Sequence, residues 1–351
     1  MQRQKFHLWL SIFCVLSLLI YGCDNQKSGD KQSSAQTESG QESKPQKKQI
    51  WLSILGGAVG GTFSPFAGGI GTVVSKAEPN IRISVEGSAG SIENVRRVNS
   101  GGDYMGVAFA SDVYLGYHGE EVFAKEGKKE NIRVLTLLYI AYNQFVTLAN
   151  SDVHQFEDIV GKKVAMGAAG SGSAQTLERL AKLAGIHGKF SPVYKGGTAG
   201  ADALRDGQVS GFQWLVNAPN SAVIYVSEIK SVRLIDFDTP AKKYGFYEKY
   251  PFYLPGRLPE GAYKDVQPVN TFLMPTVLIA HKEISEETVY TILQHMYDQA
   301  GHQTLITTTP AAKDMTLENA PKAFVIPLHR GADRFWRERG VEIPETAQAV
   351  D

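Results

Sequence analysis

Residues 164–176 read VAMGAAGSGSAQT, a short apolar run that leads through glycines and serines into a polar turn. The run predicts a buried strand, and apolar residues three and four apart across 177–184 predict a helix that ends at Gly185. Ser171 and Ser173 stand where a helix N-cap is expected. The first N–H groups of such a helix have no partner within it, and together with the helix dipole they favour an anion. This stretch therefore predicts an anion-binding turn in an α/β protein.

An earlier stretch has the same form. Residues 81–85 alternate like a strand, 87–91 read GSAGS, and apolar residues across 92–98 continue as a helix to Gly101. Two such units predict two similar α/β lobes, each of which presents one helix start to a shared ligand. The alternative is that both are ordinary strand-to-helix turns, which use glycine and serine as caps in any case.

Composition narrows the class of protein. The 351 residues are enough for two domains, and 43% hydrophobic with 21% charged residues is typical of a globular chain. Lys plus Arg equals Asp plus Glu at 36 each, which argues against a nucleic-acid partner. Both cysteines, Cys14 and Cys23, lie in the first 23 residues, so we expect neither a disulfide nor a thiolate site in the folded body.

The amino-terminal residues are typical of an exported protein. Arg3 and Lys5 precede an apolar run at 8–20, which predicts a signal peptide over residues 1–22 and is too short to settle as a membrane-spanning helix. The sequence LIYGC that ends at Cys23 resembles a bacterial lipobox. We therefore predict cleavage before Cys23 and lipidation of that residue; a plain signal peptide or a retained anchor is the alternative.

A tether is expected to follow. Residues 24–48 contain no large apolar side chain and cannot offset the entropy of ordering, so we predict a flexible, lipid-anchored tether over 23–49. Several acyl chains on one residue hold a protein firmly to a membrane. Asp24 resembles the signal that keeps such proteins at the inner membrane. The predicted location is extracytoplasmic, in the periplasm, and lipid-anchored.

Strands and helices alternate through the rest of the chain. Strands are predicted at 51–55, 104–110, 133–139 and, separately, 144–149. Residues 250–275 contain five prolines and predict an irregular crossover between the lobes. Such alternation favours an α/β fold of mostly parallel sheets flanked by helices.

Familiar catalytic and nucleotide motifs are not found. The glycines of GGAVGG at 56–61 lack both the dinucleotide and the P-loop spacing. The eight histidines are scattered without a zinc-protease pattern, and the serines near Gly170 do not form a nucleophile elbow. We expect a binding protein and not an enzyme, with no cofactor and no metal; a periplasmic hydrolase is a lesser alternative.

Seven short motifs together resemble one family. They are GGAVGGTFSP at 56–65, GSAGSIEN at 87–94, SD at 111–112, GAAGSGS at 167–173, NAP at 217–219, YPFY at 250–253 and IPLH at 326–329. Their order resembles that of the TAXI proteins, the extracytoplasmic solute receptors of one class of TRAP transporter. The resemblance implies a type II periplasmic-binding-protein fold with two lobes, a double crossover and a ligand cleft between the lobes. Lobe I would be 50–142 plus 270–351, and lobe II would be 143–269.

The resemblance also implies ligand and partners. The ligands of TAXI proteins are small carboxylates such as glutamate, glutamine or a 2-oxo or dicarboxylic acid, and their partner is a TRAP-type membrane permease. The chain departs from the family at Ser64, where an aromatic pair typically precedes Pro65, and at Asn217 and Asn220, which flank Ala218-Pro219. These departures leave the identity of the solute open. A ligand-sensing lipoprotein that presents its closed form to a signalling partner is the alternative function.

We predict that a carboxylate is held by N–H and hydroxyl donors from both lobes. The predicted ligand-binding residues are Thr62, Phe63, Ser88, Ala89, Ser91, Asn94, Tyr139, Gln144, Gly170, Ser171, Gly172, Ser173, Gln213 and Trp214. For Asn94 an exposed helical position is the alternative, and for Tyr139, Gln213 and Trp214 the alternative is simple packing in the core. Lys195 could supply a cation, although a solvated lysine is the commoner case.

Overall fold

The computed structural model describes residues 48–350. The predicted signal peptide at 1–22, Cys23 and nearly all of the tether at 23–49 lie outside the described residues. Within 48–350, no helix combines the length and the apolar character needed to cross a membrane.

Three strands and three helices alternate at the beginning of the described chain. In chain order they are β1 (Ile50–Leu55), α1 (Phe63–Ala77), β2 (Ile81–Glu86), α2 (Ser91–Ser100), β3 (Tyr104–Phe109) and α3 (Ala110–His118). A short 3-10 helix, Glu121–Phe123, follows. β1 lies between β2 and β3 and is parallel to both. The buried residues Phe66, Ile70, Val73 and Val74 lie three or four positions apart on α1, which gives that helix its buried face. Residues 50–123 are called the first side below.

The next element is one strand of 17 residues, β4 (Ile132–Leu148). The prediction of two separate strands at 133–139 and 144–149 is therefore wrong. The intervening residues stay extended because each pairs with a neighbouring strand. Pairing with one neighbour hands over to pairing with the other at Tyr142, which lies opposite Leu273 on one edge and opposite Val216 on the other. Such cross-strand pairing is a tertiary effect that local sequence does not reveal.

A second set of alternating elements follows β4. It comprises β5 (Lys163–Ala165), α4 (Gly172–Leu183), β6 (Ser191–Val193), α5 (Gly197–Arg205), β7 (Gly211–Val216), α6 (Ser221–Ile229) and β8 (Val232–Leu234). β5 is parallel to both β6 and β7. As predicted, the hydroxyl of Ser171 caps α4 and accepts from the N–H of Ala174 at 3.2 Å. Residues 163–229 are called the second side.

The proline-rich stretch is more regular than predicted. After α7 (Asp238–Lys243) and α8 (Phe246–Lys249), it contains β9 (Leu254–Arg257) and the beginning of β10 (Asn270–His281). Pro275 lies inside β10, opposite Ile140 of β4. On the edge of β10 away from β4, β9 pairs only as far as Leu273 and β3 only from Thr276. Proline is tolerated there because neither of these strands requires an N–H from residue 275.

The chain ends in α9 (Glu286–Tyr297), α10 (Gln299–Thr308) and α11 (Arg330–Glu338), with short 3-10 helices between and after them. The strands form one ten-stranded sheet in the order β2-β1-β3-β10-β4-β7-β5-β6, with β8 beside β4 and β9 beside β10. Strands are parallel within each side, and the long strands β4 and β10 join the two sides. Helices flank this curled sheet, so the fold class is α/β as predicted.

Candidate functional site

The two sides of the sheet meet at the middle of β4. Phe109, at the carboxyl end of β3, lies opposite Thr276, which in turn lies opposite Tyr139 of β4. Val216, at the carboxyl end of β7, lies opposite Tyr142 only three residues further along β4. β3 and β7 run in opposite directions, so their carboxyl ends face each other there. Carboxyl ends of strands are where ligands bind in open α/β sheets.

A small cavity occupies this junction. Its volume is about 30 Å³, which is room for roughly two water molecules. The lining residues come from both sides and from β4: Gly57, Ala58, Gly61, Thr62, Phe63, Ala89, Gly90, Ser91, Phe109, Tyr139, Ser171, Gly172, Ser173, Trp214, Leu215 and Val216. None of these described residues carries a charged side chain.

Three helices begin at the cavity wall. α1 begins at Phe63, α2 at Ser91 and α4 at Gly172, and all three residues line the cavity. The first N–H groups of a helix have no partner inside that helix. At α4 the capping hydroxyl of Ser171 accepts a hydrogen bond from only one of these N–H groups, that of Ala174. The helix starts therefore bring positive potential and N–H donors to one small volume.

Two buried side-chain donors at the cavity have no hydrogen-bond partner among the described residues. They are the hydroxyl of Tyr139, on β4, and the indole N–H of Trp214, on β7. Burial raises the pKa of Tyr139, and the hydroxyls of Thr276 and Thr62, which lie near the phenol but outside hydrogen-bonding geometry, lower it by less. The phenol therefore stays protonated and able to donate. Unsatisfied buried donors are rare and call for a physical explanation. A ligand with acceptor atoms in this cavity supplies one.

Three serine hydroxyls at the cavity each accept a hydrogen bond from a backbone N–H. The pairs are Ser91 with Phe109 at 2.9 Å, Ser171 with Ala174 at 3.2 Å and Ser173 with Leu215 at 3.2 Å. A hydroxyl that accepts still has its own proton to donate. These serines can therefore donate to a ligand while they hold the surrounding backbone in place.

The remaining wall is apolar. The rings of Phe63 and Phe109 meet edge to face with centroids 5.1 Å apart. Gly172 is needed beside them, because a Cβ at that position would lie 2.3 Å from Oδ2 of Asp112 and 2.5 Å from the Phe109 ring. The absence of a side chain lets the start of α4 approach the first side closely.

The sequence of this chain matches the model of one known family. The model of the NMT1-like family matches residues 54–340, which is most of the chain. The chain belongs to the NMT1-like family. Within 48–350 of this NMT1-like protein, no group of three or more His, Cys, Asp or Glu residues is arranged to hold a metal ion.

Solved structures share the fold of this NMT1-like protein. MatC (Rpa3494) from Rhodopseudomonas palustris, solved with bound malate, is 14% identical, with 83% of this chain and 98% of that chain covered and a TM-score of 0.50. The periplasmic binding protein BugD is 12% identical, with 85% and 100% covered and a TM-score of 0.50. At such identities the likeness establishes the fold, which is that of periplasmic binding proteins.

Nine of the predicted site residues of the NMT1-like protein line the cavity. They are Thr62, Phe63, Ala89, Ser91, Tyr139, Ser171, Gly172, Ser173 and Trp214. Sequence reasoning missed seven lining residues: Gly57, Ala58, Gly61, Gly90, Phe109, Leu215 and Val216. Phe109 lies next to the end of the strand predicted at 104–110, so the rule that ligands bind at carboxyl ends could have found it.

Five predicted site residues do not line the cavity. Ser88 donates to the carbonyl of Gly56 at 2.9 Å. Asn94 is fully buried, and not exposed on its helix as the alternative held. Its amide donates to the carbonyls of Gly56 and Val107, both at 2.7 Å, and so ties β1 to β3. These two side chains support the site from behind and do not reach into it.

The other three lie on the second side or at its edge. Gln144 donates to the carbonyl of Asn217 at 2.9 Å and is buried. Gln213 is buried beside the side chain of Asn143, at 2.6 Å. Gly170 has a φ of 76°, which shapes the turn before α4. Lys195 is also away from the cavity, where its ammonium donates to Gln208 at 3.3 Å.

Proposed function

We propose that this protein is an extracytoplasmic solute-binding receptor that holds a small carboxylate in the cavity between its two sides. The observation that carries this proposal is the pair of buried, unpartnered donors, Tyr139 and Trp214, at the point where three helix starts converge. A carboxylate is acceptor-only and negatively charged. It would accept hydrogen bonds from both donors, and the positive potential of the helix starts would stabilise its negative charge.

The energy available fits reversible capture. Micromolar affinity corresponds to about 8 kcal/mol. Each helix start contributes roughly 1 kcal/mol, and hydrogen bonds to a charged group contribute about 1.5–3 kcal/mol each. Three helix starts and two or three such hydrogen bonds therefore reach the required range without a covalent step.

A relative of the same fold supports the ligand class. MatC was solved with malate, which is a small dicarboxylate. Malate is larger than the two water molecules that the 30 Å³ cavity accommodates, so entry of such a ligand requires the two sides to separate. We propose that they move as lobe I (50–142 plus 270–351) and lobe II (143–269) about β4 and β10, in a hinge motion.

Contacts across the cavity rim fit a closed form. The side-chain amide of Asn220 donates to the carbonyl of Gly60 at 3.2 Å, and the hydroxyl of Thr62 donates to the side chain of Asn217. Each of these bonds joins the first side to the second. Both asparagines belong to the motif where this chain departs from the TAXI pattern, so they are candidates for tuning closure.

We propose that the protein captures its solute for transport across the membrane. The motif order that resembles TAXI proteins favours delivery to a TRAP-type membrane permease. Lipidation at Cys23 would hold the receptor near that permease at the inner membrane, by the tether at 23–49. These assignments rest on the sequence pattern.

A thermal-shift screen tests the function. Purified protein would be melted with amino acids, dicarboxylates, 2-oxo acids, and uncharged amides of the same carbon skeletons. A true ligand raises the melting temperature by mass action, because it stabilises the folded chain by an amount that grows with the logarithm of one plus the ratio of ligand concentration to Kd. We expect a carboxylate to raise it and the matching amide not to. Equal shifts with acid and amide, or no shift with any acid, would refute carboxylate binding.

A further inference from the structure

A buried arginine joins the two sides behind the cavity. Arg179 lies two turns into α4, and its side chain is 2% exposed. It donates from Nε to Glu121 at 2.8 Å, from Nη1 to the Tyr253 hydroxyl at 2.9 Å and from Nη2 to Asp112 at 3.1 Å. Both acids belong to the first side, whereas Arg179 belongs to the second. Arg179, Asp112 and Glu121 are called the Arg179 cluster.

The Arg179 cluster is directly connected to the ligand cavity. Asp112 is completely buried; one carboxylate oxygen accepts from Arg179, and the other has no hydrogen-bond partner among the described residues. That second oxygen lies against Gly172, the first residue of α4 and part of the cavity wall. Asp112 therefore contacts α4 at two points, at its start and two turns further along.

The arginine has partners that stay with it when the sides separate. The Tyr253 hydroxyl bonds both to Arg179 and to Thr176 of α4, at 2.9 Å and 2.8 Å. The guanidinium also lies over the ring of Tyr250, 5.8 Å from its centroid. These contacts hold the guanidinium in place on α4. Of the hydrogen bonds made by the Arg179 side chain, separation then breaks the two ion pairs, to Asp112 and Glu121.

Burial makes these ion pairs sensitive to the distance between the sides. Removing one partner from a buried pair is costly because it leaves a charge without compensation. When the sides open, water reaches the charges; when they close, the three groups must pair again. Glu121 is the most accessible member, with its side chain 28% exposed.

We propose that the Arg179 cluster stabilises the closed arrangement of the two sides and so prolongs the stay of a bound solute without contacting it. Arg179 is thus a positioning residue. The effect on a bound solute rests on the proposed function; the effect on closure does not. Glu121→Gln and Asp112→Asn keep the shapes of the side chains while removing one charge each.

Distances between two spin labels test the proposal without any solute. Labels would be placed at the exposed positions Lys76 and Lys189, in the full chain with Cys14 and Cys23 replaced by serine. Pulsed electron paramagnetic resonance gives the distribution of label separations. We expect a short-distance population in the parent chain, and at least a threefold larger long-distance population in both variants.

The control variant is Glu126→Gln. Glu126 pairs with Arg96 of the first side at 2.7 Å, and neither residue belongs to the second side. We expect the parent distribution in this variant. Circular dichroism and melting would identify a variant that fails to fold. If Asp112→Asn fails to fold, the test uses Glu121→Gln, which lies at the accessible edge of the cluster.

Three results would overturn the proposal: parent-like distributions in the folded cluster variants, the same widening in Glu126→Gln, or no short-distance population in the parent. Because no solute is used, these failures are separate from failure of the carboxylate screen.

Discussion

Pro275 of β10 lies directly opposite Ile140 of β4, at the point where the two sides of the sheet join. The N–H of Ile140 donates to the carboxylate of Asp314, at 2.8 Å. Burial raises the pKa of Asp314, although the bond from Ile140 and the charge of Lys322 lower it. A carboxylate from a distant 3-10 helix thus completes the backbone hydrogen bonding of the strand that joins both sides.

Asp314→Ala should destabilise the fold. Leaving the partly buried N–H of Ile140 without its acceptor costs about 1 kcal/mol. Urea denaturation would measure the loss. Asp152→Ala is the matched control, because that aspartate pairs with Lys162 at an exposed site, with its side chain 72% exposed. Its loss should be small, because an exposed ion pair contributes little to stability. Equal losses in both variants would contradict the role given to Asp314.

Tyr139→Phe should separate binding from stability. The Tyr139 hydroxyl has no partner in the described structure, so its removal should leave the free energy of unfolding unchanged or raised. Loss of one donor to a charged ligand should weaken carboxylate binding by about tenfold, or roughly 1.4 kcal/mol. Isothermal titration calorimetry with the best acid of the screen would measure it.

Tyr297→Phe is the control for that experiment. Tyr297 is a partly buried tyrosine whose hydroxyl, unlike that of Tyr139, bonds to Thr136 at 2.6 Å, away from the cavity. This variant should lose about 1 kcal/mol of stability and keep the parent affinity. The prediction fails if Tyr139→Phe binds as tightly as the parent.

Gly172→Ala and Gly68→Ala should have opposite effects. The new Cβ at residue 172 would lie 2.3 Å from Asp112 Oδ2, whereas at residue 68, on α1, nothing lies within 4 Å. Overpacking at residue 172 should cost about 1–3 kcal/mol. Alanine in place of the helical Gly68 should add up to about 1 kcal/mol. Thermal or urea unfolding would measure both changes in the free energy of unfolding. If Gly172→Ala left that free energy unchanged, α4 and α3 would not pack tightly at residue 172.

Acid should weaken the fold through His329. Its Nδ1 accepts from the N–H of Gly331 at 3.2 Å, and its Nε2 lies 2.8 Å from the carbonyl of Ile284, so the ring is neutral. Burial lowers the pKa of His329 from 6.5 to about 4, against a smaller opposing effect of the Ile284 carbonyl. The unfolded chain therefore takes up a proton that the folded chain does not. Stability is fully present above pH 6.5 and is lost as the pH falls to about 4.

The size of that loss is about 3 kcal/mol at most, from 1.36 kcal/mol per pKa unit. Urea unfolding between pH 7 and pH 4 would measure it. His329→Asn keeps an acceptor at the N-cap of α11 but removes the titrating group. This variant should lose less stability across the same range. Parallel curves for parent and variant would exclude His329 as the source.

Local patterns were sufficient where one residue acts on its own neighbours. The cap at Ser171 depends on backbone groups three residues away, so the sequence alone predicted it. The same holds for the strand–turn–helix units around residues 81–98 and 164–184, and for the α/β class that follows from their repetition.

Predictions that depended on distant partners fared less well. β4 continues through residues 140–143 because β10 and β7 pair with it from both edges. The five predicted residues outside the cavity have the right chemistry, but they bond to nearby protein groups or only shape a turn, as Asn94 and Gly170 show. Hydrogen-bond capacity is evident from the residue type; how it is used depends on what lies nearby.

The sequence by itself determined the α/β class, the two helix starts rich in glycine and serine, and the choice of Tyr139 and Trp214 as candidates. Only the tertiary structure decided that both of those donors lack partners, that a third helix start joins them, and that Arg179 reaches two acids on the opposite side. The physical reason is separation along the chain: these contacts join residues dozens of positions apart, and they form only when one curled sheet brings the carboxyl ends of opposed strands together.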